Sequence, residues 1–269
     1  MMVEPTTTEA NPGLMERFQV PGSWEFTPEV AEEFDDHVHA SVPFYDDIQQ
    51  LVSGLSDWLA PRGSVIADLG ASTGTTAELI ASRHPERKLT FHLYDSQTNM
   101  LNIAQRKLKG VDAIIHCHAT SIENGLAHNG ASMTLALFTL QFLDPVDRAT
   151  VLRSARGRSR PHGALIVAEK LRLLDPRWQE IAISSSHDYK YAHGQNADAV
   201  HAKERSLRGV LNPLSDLEQR RLLNDCGWRG VETLFRWHQW VVYAAFASDI
   251  SEGRPLGDHS ETRRCCVDR

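Results

Sequence analysis

The chain is 269 residues long and 41% apolar, which allows one large α/β domain with a sizeable core and appended helices. A net charge of −7, with no basic block longer than a few residues, argues against a tight nucleic-acid binder, because phosphate contacts need clustered Lys and Arg. No apolar run approaches the roughly 18 residues of a membrane span and no signal-peptide pattern is present, so a cytoplasmic protein with a small-molecule substrate is expected.

Residues 1–20 carry Thr, Pro, Gly and Glu without periodicity and read as a disordered arm. Residues 21–60 read as an N-terminal helical cap. A helix is expected from Thr27 as N-cap, with Pro28 in its first turn, through Phe34. A long helix then runs from Asp46 to Leu59. The aromatics Trp24, Phe26, Phe34, Phe44 and Tyr45 either cover a bound cofactor or pack on the side of the domain.

The informative stretch follows, at Ser64-Val-Ile-Ala-Asp-Leu-Gly-Ala-Ser-Thr-Gly-Thr-Thr76. Val65 to Ala67 is a short buried-strand run. The chain then turns through Asp68-Leu69-Gly70-Ala71-Ser72-Thr73-Gly74 into a helical pattern. Gly70 and Gly74 let the backbone approach a ligand, and the helix start leaves N–H groups pointing at it. A second strand, Leu89 to Tyr94, ends in Asp95, about twenty residues on, where an acidic side chain accepts from a ribose. The spacing G-x-x-x-G does not fit the dinucleotide fingerprint, and no Gly-Lys-Ser/Thr ending marks a phosphate loop. The form D-L-G-x-S-x-G, followed by Asp95, instead resembles the first motif of class I S-adenosylmethionine (SAM) enzymes.

Further along, Met100, Leu101, Ile103, Ala104 and Leu108 mark an amphipathic helix, and Asp112 to His116 a short strand. Met133 to Phe138 is a strand leading into Thr139-Leu-Gln-Phe-Leu-Asp-Pro145, at a carboxyl edge that faces a ligand crevice. Val146 to Ser159 is a helix, Pro161-His-Gly163 a turn, and Ala164 to Ala168 a strand delivering Glu169-Lys170 to the same edge. Residues 171–212 break the alternation as a helical insertion. A helix from Ser215 to Asp225 follows, and two strands form a hairpin around Trp237-His-Gln-Trp240. Residues 249–269 read as a disordered tail, leaving 61–248 as the ligand-binding domain. Neither the cysteines Cys117, Cys226, Cys265 and Cys266 nor His116-Cys117-His118 shows metal-site spacing: adjacent strand residues face opposite ways, and no metal is expected.

Several strings occur in one order at matching spacing: Trp24-x-Phe26, Ser41-Val-Pro-x-Tyr45, Asp68-Leu-Gly-x-Ser72, Phe138-Thr-Leu-Gln-Phe-Leu143, Glu169-Lys170 and His187-Asp188-x-Lys190. From about residue 23 to 247 the chain resembles the carboxy-S-adenosylmethionine synthases. That resemblance implies an α/β fold of the class I methyltransferase (Rossmann-like) type: a doubly wound, mostly parallel sheet with a terminal antiparallel hairpin and a helical insertion or lid. It also implies a homodimer, with SAM held by Gly70, Asp95 and Tyr45. Asp68, Ser72, Gly74, Ser96 and Ala119 complete the expected SAM set, and Tyr45, Phe138, His187 and Tyr191 the expected catalytic set. Tyr189 joins Tyr45, Phe138 and Tyr191 as an aromatic candidate around a sulfonium. Glu169, His187 or Tyr191 is the expected base.

This sequence departs from the family in three places. Leu137 stands where the family has Asn, and Cys117-His-Ala119 where it has an acidic residue near the adenine. Glu204 stands where an Arg grips the product's extra carboxylate, with Arg205 one helical step, about 100°, away. A carboxylate facing Glu204 is repelled. The expected function is therefore SAM-dependent alkyl transfer in small-molecule secondary metabolism, either methyl transfer or closure of SAM itself to azetidine-2-carboxylate and methylthioadenosine. The alternatives are carboxy-SAM synthesis from prephenate, with Lys203, Arg205 or Arg208 moved into the carboxylate site, and a non-catalytic SAM-binding protein.

Overall fold

A computed structural model describes residues 31–248. The proposed arm, the tail and the helix start at Thr27 lie outside that range. Helices α1 (Phe34–Ser41) and α2 (Tyr45–Leu59) precede β1 (Val65–Leu69), α3 (Thr75–Arg83), β2 (Leu89–Asp95), α4 (Thr98–Lys107) and β3 (Ala113–Ala119). Then come β4 (Ala131–Leu137), α5 (Pro145–Arg158), β5 (Ser159–Lys170), α6 (Pro176–Ala192), α7 (Ala197–Ser206), α8 (Asp216–Asp225), β6 (Arg229–Trp237) and β7 (Trp240–Phe246).

The strands form one seven-stranded sheet in the order β3-β2-β1-β4-β5-β7-β6, parallel except for the antiparallel β7 pairings. Side chains alternate between its faces, so each face carries its own core. Ile66, Phe91, Met133 and Ile166 pack with Ile48, Val52 and Ile80 on one side. Leu69, Tyr94, Leu165 and Val167 pack with Leu152 and Trp228 on the other. Order reverses between β1 and β4, and a ligand crevice opens at such a switch point. Parallel register brings Asp68, opposite Leu93 and Leu135, to the same edge as Asp95, Leu137 and Lys170.

Local chemistry accounts for the helix boundaries. Asp144 and Asp175 cap α5 and α6 just before a proline, Asn196 caps α7, and Ser215 with Glu218 forms a capping box on α8. Two expectations are corrected. Residues 161–163 are not a turn but part of β5, with a left-handed bend at His162. A Cβ on Gly163 would lie 2.5 Å from the Ala131 carbonyl oxygen, so glycine there permits a close strand approach rather than a reversal. The third strand runs on to Ala119, because its pairing with β2 continues through Asp95.

Candidate active site

A cavity of about 300 Å³ sits at the carboxyl edge of the sheet, between the β1 and β2 turns, α1, the segment after β4, and the insertion helices. Its first wall is the glycine-rich turn. Gly70 has φ of +82°, and a Cβ there would fall 2.3 Å from Thr139 Oγ1, so no side chain fits. Ser72 and Gln97 donate backbone N–H groups to the two Asp95 carboxylate oxygens at 2.9 and 2.8 Å, which fixes the carboxylate against the turn. Asp68 is only 3% exposed, and its carboxylate has no side-chain or backbone hydrogen-bond partner among the described residues. Burial, with Asp95 nearby, pushes its carboxyl up to about 7. An orphaned buried carboxylate beside a side-chain-free cradle fits the ammonium and sulfonium charges of SAM.

The roof is α1. Asp35 accepts from Lys107 Nζ at 2.7 Å and from Thr73 Oγ1, which pins the helix over the turn. Burial works to raise the Asp35 carboxyl, but Lys107 and the two threonine hydroxyls outweigh it and hold it low. Phe34, Val38 and Tyr45 face the cavity from this side. Burial raises the Tyr45 phenol well above its ordinary value, so it stays protonated.

The segment 138–143 forms the floor, and two buried polar side chains hold it. Glu169 accepts from the Leu140 backbone N–H at 3.1 Å, and Arg148 donates to the carbonyls of Gln141 and Leu143. Burial pushes Glu169 up to about 8. Its side chain clasps the floor from behind and is not part of the cavity wall, where the expected base would have to stand.

The far end is cationic. Lys170 from β5, Lys190 from α6 and Lys203 from α7 line one chamber, with Glu204 as the carboxylate among them. Burial and their mutual repulsion push Lys190 down to about 8 and Lys203 down to about 7, and burial also lowers Lys170. Lys203 contacts His37 Nε2 and Ser41 Oγ on α1; burial, with Lys203 and Lys190, drives His37 down to about 3. Burial acts to raise the Glu204 carboxyl, but the hydrogen bond with His187 Nε2 at 2.6 Å and the electrostatic pull of His187, Lys190 and Lys170 outweigh it and hold it below its ordinary value.

Of the expected residues, Asp68, Gly70, Ser72, Asp95, Ser96, Tyr45 and Phe138 all line this cavity. Gly74 does not: its added Cβ would meet Ala104 Cβ at 2.9 Å, so it serves the packing of α3 on α4. Ala119 ends β3 short of the wall, which Ser121, Ile122 and Glu123 form instead. His187 reaches the cavity only through Glu204. Tyr191 is 37% exposed and outside the wall, and Tyr189 packs on Phe44 and His193. On a helix neighbouring residues diverge by about 100°, and α6 turns Lys190 inward at the expense of both tyrosines. Sequence reasoning named Lys203, with Arg205 and Arg208, for a carboxylate site beside Glu204; the cavity wall holds Lys203 and neither arginine, and the grouping with Lys170 and Lys190 was missed. The Glu169-Lys170 and His187-Asp188-x-Lys190 strings carried two of its members, but nothing local in them marks a shared site.

A family model described as a methyltransferase domain matches residues 66–163. Carboxy-S-adenosyl-L-methionine synthase of Trichodesmium erythraeum (strain IMS101) is 32% identical, over 92% of this chain and 100% of its own length. The synthase of Campylobacter concisus (strain 13826) is 32% identical over 83% of this chain and 94% of its own. Among solved structures, an O-methyltransferase family protein from Burkholderia thailandensis superposes with a TM-score of 0.61 at 17% identity, covering 87% of this chain and 66% of that one. The apo form of the SAM-dependent methyltransferase SibL gives 0.54 at 17% identity, covering 74% of this chain and 54% of that one. These last two likenesses establish the fold alone. With its likeness to the synthases running over nearly its whole length, the chain belongs to the carboxy-S-adenosyl-L-methionine synthase family of the class I SAM-dependent methyltransferase superfamily.

Proposed function

We propose that this protein is a SAM-dependent enzyme that alkylates a separate small molecule bound in the lysine-lined chamber. Bound SAM would supply an electrophilic methyl group. Asp68 would hold its cationic amino-acid end, Asp95 its ribose, and Gly70 and Ser72 the backbone approach between them. Tyr45 and Phe138 would present apolar ring surface to the sulfonium and exclude water. The chain's contribution to rate is then positioning two reactants in one enclosed space.

The observation that carries this reading is Glu204 on the cavity wall, its carboxylate bonded to His187 at 2.6 Å. It stands where the resemblance implies a carboxylate-gripping Arg, and it opposes a new carboxylate on the reacting carbon.

A second reading is carboxy-SAM synthesis, favoured by the full-length likeness to the synthases and by Lys203, which lines the cavity beside Glu204. The test is to incubate pure protein with SAM alone and with SAM plus prephenate, and to resolve the products by mass spectrometry. Intact SAM in both reactions is expected. A carboxylated SAM appearing only with prephenate would establish the second reading and overturn the first. Methylthioadenosine with azetidine-2-carboxylate from SAM alone would show cyclisation with no second substrate.

A further inference from the structure

Two ammonium groups on the cavity wall have no contact partner of their own, and the Glu204 carboxylate acts on both only at longer range. Lys190 is 8% exposed, and neither its Nζ nor that of Lys170 has a hydrogen-bond or ion-pair partner among the described residues. Lys170 meets the ring of Trp240, with Nζ 5.7 Å from its centroid. Buried charges are ordinarily in contact with a partner, and here two lysines share the wall with the single carboxylate of Glu204, so a ligand in the cavity is positioned to supply a direct anionic contact.

Glu204 shares that wall with the opposite sign. Its Oε1 is committed to His187, while Oε2 accepts no hydrogen bond from a described residue. A ligand bearing only carboxylates would satisfy the lysines and be repelled by Glu204. One bearing only an amine would do the reverse. A ligand that carries both groups satisfies all three side chains.

We propose that the chamber binds a zwitterionic second substrate, an α-amino acid, with Lys170 and Lys190 taking its carboxylate and Glu204 its ammonium group. Phe138 and Trp240, in edge contact with ring centroids 5.7 Å apart beside Lys170, give this end an apolar wall suited to an aromatic side chain. The proposal rests on the reading of SAM as alkyl donor and names the class of its acceptor.

The test is calorimetric titration of the full chain, with and without saturating S-adenosylhomocysteine, using L-phenylalanine, 3-phenylpropanoate and phenethylamine. The amino acid should bind about tenfold or more tighter than either analogue, the value of one charge-assisted contact. Glu204→Gln should erase its advantage over 3-phenylpropanoate. Lys190→Met and, independently, Lys170→Met should weaken both carboxylates about tenfold while S-adenosylhomocysteine still binds, which reports an intact fold. Equal or tighter binding of 3-phenylpropanoate to the unmodified chain would overturn the proposal, as would no binding of any probe. Failure of S-adenosylhomocysteine to bind while the amino acid keeps its advantage would instead overturn the alkyl-donor reading alone.

Discussion

At the residue scale, two glycines that look alike in the sequence do different work. Gly70 has no room for a Cβ because Thr139 lies against it on the cavity floor, whereas Gly74 is blocked by Ala104 on a neighbouring helix. Gly70→Ala should weaken SAM affinity at least several-fold, and Gly74→Ala should lower stability by about 1–3 kcal/mol with a smaller effect on affinity. Calorimetry and thermal melts separate the two. Asp68 carries a pH signature. Its folded pKa of about 7 exceeds the ordinary 3.8, so the empty protein holds this proton as pH rises from about 4 to 7 and loses stability across that window. A bound cation favours the ionised form. SAM affinity should therefore rise between pH 6 and 8, and Asp68→Asn should flatten the rise and weaken binding at pH 8. An affinity independent of pH in the unmodified chain would contradict this role for Asp68.

At the scale of elements, the cavity joins a local device to a distant one. The strand–turn–helix from β1 to α3 was legible because its whole chemistry lies in one short run and the next strand's end: buried strand, Asp68, the glycines, Asp95. The lysine chamber was not legible, because Lys170, Lys190 and Lys203 meet only when the insertion folds back over the sheet edge. The same folding misled the reading of Tyr189 and Tyr191: an aromatic-rich string predicts ring surface but not which side of α6 faces inward. The hold of α1 on the turn also went unseen, since Asp35 and Lys107 are far apart in the chain. Asp35→Asn should raise the Kd for SAM several-fold and, with one ion pair lost, make that affinity less sensitive to salt. At the other end of the fold, Ser215→Ala removes the cap of α8 and should cost about 1 kcal/mol with SAM affinity unchanged.

At the scale of the whole molecule, the cavity is polarised. Carboxylates of Asp68 and Asp95 sit at the sheet switch point, and three lysines offset by Glu204 sit beneath the insertion. The first end suits a cationic ligand such as SAM, and on the proposed function the second faces its acceptor. Strand alternation, the antiparallel hairpin and the break at residue 171 all follow from hydrophobic period and turn residues, so the architecture was readable before any side chain was placed. Charge polarity was not, because it depends on which charged residues turn inward. None of the described helices is long and apolar enough to cross a membrane. If SAM binds through the acidic end of this cavity, titration of pure protein with SAM at pH 8 will show it. One site per chain is expected, with a Kd in the micromolar range, weakened at least about tenfold by Asp95→Ala, which removes the proposed ribose acceptor. No binding, or binding indifferent to Asp95→Ala, would contradict it.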